Sequence, residues 1–169
     1  MPERAPAWTR WLWLSAVVVV LDLATKALVT DAFHYGEVRP VTSFLNLVLV
    51  HNTGAAFSFL AQAGGWQRWF FTLVAVAISA ALIWMLRKPG TGKLLSFGLA
   101  LVLGGALGNL HDRVTLGYVV DFIQVHAGGY YFPAFNVADS AITVGVALLI
   151  WDSLRPAPRP PLGATQEKP

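Results

Sequence analysis

Cysteine is absent from the 169 residues. That removes disulfides, thiolate nucleophiles and cysteine-ligated metals from the chemistry open to the chain. Charge is scarce as well: Asp, Glu, Lys and Arg make up only 12% of residues, about half the share usual in a soluble domain. Metal-ligand spacing is also missing. His34, His51, His111 and His126 form no H-E-x-x-H or comparable pattern, so neither a metal nor another cofactor is expected. What the chain does have is apolar sequence, 56% of the total, in runs approaching the ~20 residues needed to span a bilayer. The expected class is a mainly α integral membrane protein. The net charge of +3 comes from basic residues scattered through loops and ends, which offers no basic stripe for nucleic acid.

Four apolar runs predict helices at about 10–29, 67–86, 94–113 and 136–154. The first resembles a secretory signal peptide in its basic start. Asp22 and Lys26 interrupt the region where cleavage would fall, so an uncleaved helix is expected. Between helices, LNLVLV sets Leu45, Leu47 and Leu49 at period two, the pattern of a strand. Strand-like segments are predicted over about 36–60, with AAFSFL returning after the His51–Gly54 turn, and over about 116–132, with a turn at Gly128-Gly129. No repeat divides the chain, and one membrane-embedded domain over 1–154 is expected, followed by a disordered cytoplasmic tail at 155–169 rich in proline.

Four spans put both termini on one side. Eight of the twelve Lys and Arg residues fall with the termini and the middle loop, and Lys26, Arg39, Arg68 and Arg113 fall on the other side. The positive-inside rule then places both termini in the cytoplasm. Asp22, Asp31, Glu37, Asp112, Asp121 and Asp139 gather at the opposite, outer ends.

Asp121 lies among valine, phenylalanine and isoleucine, and Asp139 lies one turn into the fourth helix. Acids in such surroundings are costly and mark functional sites by default. Two neighbouring carboxyls can divide labour: one keeps its proton and polarises a carbonyl, while the ionised one activates water. Asn136, Asp139, Ser140 and Thr143 share one helical stripe, Asn109, Asp112 and Arg113 end the third helix, and Asp22 and Lys26 form an i,i+4 pair on the first. Polar glue between helices is the structural alternative. For Asp22–Lys26 and Arg113, glue or site support is favoured over direct catalysis, and for Asn52 and Gly54 a plain turn fits equally well. The Gly104, Gly105, Gly108 spacing points to close helix packing. An aspartyl hydrolase and a proton-coupled transporter both fit the residues; the lack of a broken helix or repeated halves leans away from transport.

Five blocks go further. They are Asp22-x-x-Thr25-Lys26, Asn52–Phe57 (NTGAAF), Gly104–Arg113 (GGALGNLHDR), Val120-Asp121-Phe122 and Phe135–Ser140 (FNVADS). In this order and spacing they resemble the bacterial lipoprotein signal peptidases, or signal peptidase II. The resemblance implies four transmembrane helices with a small extracytoplasmic β-cradle and a short amphipathic segment. It implies an aspartyl endopeptidase of the inner membrane that cleaves diacylglyceryl-modified prolipoproteins just before the lipidated cysteine. It assigns Asp121 and Asp139 as the catalytic dyad, and Asp22, Lys26, Asn52, Gly54, Asn109, Arg113 and Asn136 to site support or substrate contact. The expected partners are those substrates and membrane lipids, with the enzyme a monomer. Leu23 and His111 depart from the family, which usually has glutamine at the first position and frequently tyrosine or an aliphatic residue at the second.

Overall fold

A computed structural model describes residues 6–54 and 64–155. The apolar runs form helices α1 (Thr9–Ala32), α2 (Trp66–Leu86), α3 (Lys93–Thr115) and α4 (Val137–Ser153). A bilayer offers the backbone no hydrogen-bond partners, and a helix supplies them all internally. α1, α2 and α3 are long and apolar enough to cross a membrane. α4, with 17 residues, is shorter than these three, so length alone carries three spans of the four expected.

α3 packs against α1, α2 and α4. The expected role of its glycines holds, because the helices approach where side chains are missing. A Cβ on Gly104 would stand 2.7 Å from the Val18 Cβ of α1, and one on Gly105 would strike the Ala138 carbonyl of α4. One on Gly108 would stand 2.5 Å from Asp22 Oδ2. Neither side of α3 can therefore be pushed away without moving the polar groups near its end. α2 leaves Phe70, Leu73, Val76 and Ile78 exposed, a face suited to lipid rather than water.

A four-stranded antiparallel sheet caps one end of the bundle, in the order β1 (Val38–Pro40), β2 (Leu45–Asn52), β3 (Val119–Ala127), β4 (Tyr130–Tyr131). The two strand-like segments of the sequence thus pair with each other. The predicted return over 55–60 lies outside the described residues, as does the tail from 156 onward. The expected turn at Gly128-Gly129 is present with φ of +55° and +84°, the two-residue hairpin geometry that glycine allows. The leucine alternation of β2 does not persist. Leu47 pairs with Ile123 and Val50 with Asp121, so β2 carries one extra residue between them, a bulge. Val48 and Leu49 are consequently both buried.

Two apolar clusters hold the frame. Val29 and Phe33 of α1 pack with Leu49, Val120 and Phe122 and fasten the sheet to the bundle. At the opposite end Leu82, Leu86, Leu99, Val102 and Leu103 join α2 to α3.

Candidate active site

The start of α4 is where the elements converge. Asn136 is its N-cap: the side-chain oxygen accepts the Asp139 N–H at 2.9 Å, and Asp139 Oδ2 accepts the Asn136 N–H at 3.3 Å. This reciprocal capping box fixes the orientation of Asp139. Asp22 of α1 supports the same turn by accepting the Ala138 N–H at 2.9 Å. Three otherwise orphaned amides of the helix start, those of Asn136, Ala138 and Asp139, are thereby satisfied, and Asp139 stands at the positive end of the helix dipole.

Asp121 arrives from β3, opposite the bulge. Its two oxygens accept from different amides, Oδ1 from Asn136 Nδ2 at 2.7 Å and Oδ2 from Asn52 Nδ2 at 3.0 Å. Asn136 therefore touches both aspartates, one through its side chain and the other through its backbone. Asn109 of α3 donates to Asp139 Oδ1 at 2.7 Å, and its oxygen accepts from Asn136 Nδ2 at 3.2 Å. Asp121 is only 2% exposed. Burial, and then the negative charge of Asp139, push its carboxyl up from 3.8 to about 7, against the opposing pull of the two asparagine donors.

The other named residues stand around this pair. Gly54 is buried and donates its N–H to Asn52 Oδ1 at 3.0 Å, holding the side chain that reaches Asp121. Arg113 Nη2 donates to the Gly54 carbonyl at 3.1 Å, and its charge acts on both Asp121 and Asp139. Lys26 lies behind the dyad, with Nζ 2.7 Å from Asp22 Oδ2, 2.9 Å from Asp112 Oδ2 and 3.0 Å from Asn109 Oδ1. Its three ammonium N–H groups thus face three acceptors. All nine residues singled out in the sequence come together.

Asp112 was not among the nine, yet it belongs to the same assembly. Besides pairing with Lys26, its Oδ2 accepts the Val120 N–H at 3.1 Å, tying β3 to α3 one residue before Asp121. Its position three residues after Asn109 puts it on the same helix face, and the sequence shows it in that polar group without assigning it to the site. Arg68 is a second such residue. It donates to the Arg113 and Val114 carbonyls at 2.8 and 2.7 Å and caps the end of α3 from α2. Nothing in its local sequence marks that role. Ser140 donates to the Asn136 carbonyl at 3.0 Å, an i−4 helix bond. Among the described residues no group of His, Asp and Glu could hold a metal ion.

Chemically, the site offers two carboxyls with different surroundings, oriented by neutral amides. That is the equipment for general acid–base work on a bound carbonyl.

The family model for signal peptidase (SPase) II matches residues 14–155. The lipoprotein signal peptidase of Ralstonia nicotianae is 55% identical over 145 residues, covering 86% of this chain and 84% of that protein. The Cupriavidus necator lipoprotein signal peptidase is 54% identical over 155 residues, covering 90% and 89% respectively. A bacterial membrane enzyme solved by the in meso method at 2.3 Å superposes with a TM-score of 0.78 and 35% identity, over 86% of this chain and 88% of that one.

Proposed function

The chain belongs to the signal peptidase II family, and from that membership and the geometry of its site we propose that it removes signal peptides from prolipoproteins by aspartyl catalysis. Its substrates carry a diacylglyceryl group on the cysteine that follows the cut. One observation carries the catalytic part: Asp121 and Asp139 are joined through Asn136, and no cation lies in direct contact with either among the described residues. Two carboxyls placed so cannot both hold full charge cheaply, so they share a proton.

Asp121 keeps that proton, since its burial disfavours the ionised form. Asp139 holds the negative charge at the start of α4, where the helix dipole favours it. Asp139 then takes a proton from water as the water oxygen attacks the scissile carbonyl, and Asp121 donates its proton to the carbonyl oxygen. The tetrahedral intermediate collapses as Asp139 passes its proton to the departing amine and Asp121 recovers one from the intermediate's hydroxyl. Both carboxyls end as they began, and no covalent enzyme intermediate is required.

The rest of the fold fits this use. β1 to β4 offer an extended peptide a surface beside Asp121, and the exposed apolar helix faces suit acyl chains. At ~1.5 Å per residue α4 rises about 26 Å, close to the ~30 Å apolar core of a bilayer, and so serves as a fourth span. The distribution of Lys and Arg supports a topology with both termini in the cytoplasm and the site at the outer face of the inner membrane. The nine site residues all belong to one chain, so a monomer suffices for the proposed chemistry.

The test uses purified protein and a diacylglyceryl-modified prolipoprotein peptide, with products read by mass spectrometry. The expected result is a single cut that leaves the lipidated cysteine as the new N-terminus. No product, or a cut elsewhere, overturns the proposal.

A further inference from the structure

At the end of the bundle away from the dyad, the start of α1, the end of α2 and the start of α3 enclose a cavity of about 230 Å³ lined in part by Trp8, Arg10, Trp11, Arg87, Lys88 and Thr91. We propose that this cavity binds the phosphate headgroup of an anionic phospholipid.

Three observations converge on that ligand. The first is uncompensated charge. Among the described residues Arg10, Arg87 and Lys88 pair with no carboxylate, and α3 has no acid in its first turn. The nearby start of α3 adds the positive end of a helix dipole. The second is that the cationic groups are placed over indoles. The Arg10 guanidinium lies 5.2 Å from the Trp11 ring, that of Arg87 5.7 Å from Trp8, and Lys88 Nζ 3.6 Å from Trp84. Stacking over an aromatic face positions a cation without neutralising it, which leaves its N–H donors for an outside acceptor. The turn that carries Arg87 and Lys88 is itself tied, with Thr91 Oγ1 donating to the Lys88 carbonyl at 2.7 Å.

The third observation separates a lipid from a soluble anion. Trp84 and Trp13 are 61% and 76% exposed beside the cavity's helices, and Val17 and Val20 continue the exposed surface of α1. Tryptophan favours the headgroup level of a bilayer, and the apolar face below it accepts acyl chains. A basic pocket between spanning helices at that level has the chemistry of a phospholipid headgroup site. A free phosphate would use the cations and leave the apolar surface idle.

The full-length protein in phosphatidylcholine nanodiscs is titrated with phosphatidylglycerol, and bound lipid is read by native mass spectrometry. The wild type is expected to retain one phosphatidylglycerol in preference to phosphatidylcholine, with glycerol phosphate and inorganic phosphate failing to displace it. Each cation contributes about fivefold, so Arg87→Gln weakens retention about fivefold and the triple variant R10Q/R87Q/K88Q on the order of 100-fold. Prolipoprotein cleavage by the triple variant in mixed micelles stays at the wild-type rate, because the dyad lies at the other end. Equal retention of the two lipids overturns the proposal, as does an unchanged triple variant or displacement by a soluble phosphate. The lipid preference and the displacement experiment are read on the wild type and decide the matter even if the triple variant fails to fold.

Discussion

Two pairs of aspartates lie side by side at the sheet end of the bundle, and they are held in opposite ways. Asp22 and Asp112 share an ammonium: Lys26 Nζ contacts both, at 2.7 and 2.9 Å, and all three side chains are almost completely buried. Asp121 and Asp139 share an amide, Asn136, which donates hydrogen bonds but carries no charge. The first pair holds a fixed cation between its carboxyls, the arrangement of a strut. The second lacks one in contact, so on the proposed mechanism a proton acts as counter-charge, and a proton can be given to a substrate. On that mechanism the group placed between the acids separates a strut from a catalyst.

The comparison can be broken from either side. Lys26→Met leaves two buried carboxylates without their partner and should cost about 3–5 kcal/mol of stability, read as a marked fall in the thermal unfolding midpoint in detergent. A variant as stable as the wild type would mean that Lys26 is not the strut described. Asn136→Ala removes the side-chain donor to Asp121 and the cap that accepts the Asp139 N–H, while the backbone N–H to Asp139 remains. Activity is expected to fall about 100-fold, the scale of losing a positioned general acid–base, with a smaller stability loss of about 1 kcal/mol from the cap. His111 marks the lower limit. It is exposed and lies 3.6 Å from Asp112 Oδ1, and His111→Tyr should change stability by no more than about 0.5 kcal/mol and leave cleavage unaffected.

The sequence is uneven in how much of this it reveals. The helices are legible because a membrane span must be apolar along its whole length, and α1, α2 and α3 follow that rule. Asp121 and Asp139 stand out for the same reason, as charges in apolar settings. The strands are less plain. β1 is three residues ending in Pro40, too short for a period to show, and the bulge of β2 breaks the leucine alternation that suggested a strand. The Asp22–Lys26 pair is visible as i,i+4, whereas the contacts of Lys26 with Asn109 and Asp112 join residues more than eighty positions apart. Spacing along the chain carries no trace of such contacts. The five sequence blocks supplied what the physics alone left open, the choice between a hydrolase and a transporter.

Whether the proton shared by Asp121 and Asp139 drives cleavage is tested most directly by the pH dependence of the reaction. Asp121, raised to about 7, is protonated below that value in the folded protein, while an ordinary aspartate in the unfolded chain is already ionised above about 4. The one-proton dyad is therefore populated below pH 7 and lost above it, and the stability the neutral carboxyl confers, full below about pH 4, is lost as the pH rises to about 7. Cleavage of the lipidated peptide by the wild type is predicted to decline with a midpoint near pH 7. Asp121→Asn and Asp139→Asn are predicted to be inactive at every pH while still unfolding cooperatively. A wild-type rate that stays level through pH 9, or an Asn variant that cuts at the wild-type rate, would contradict the account.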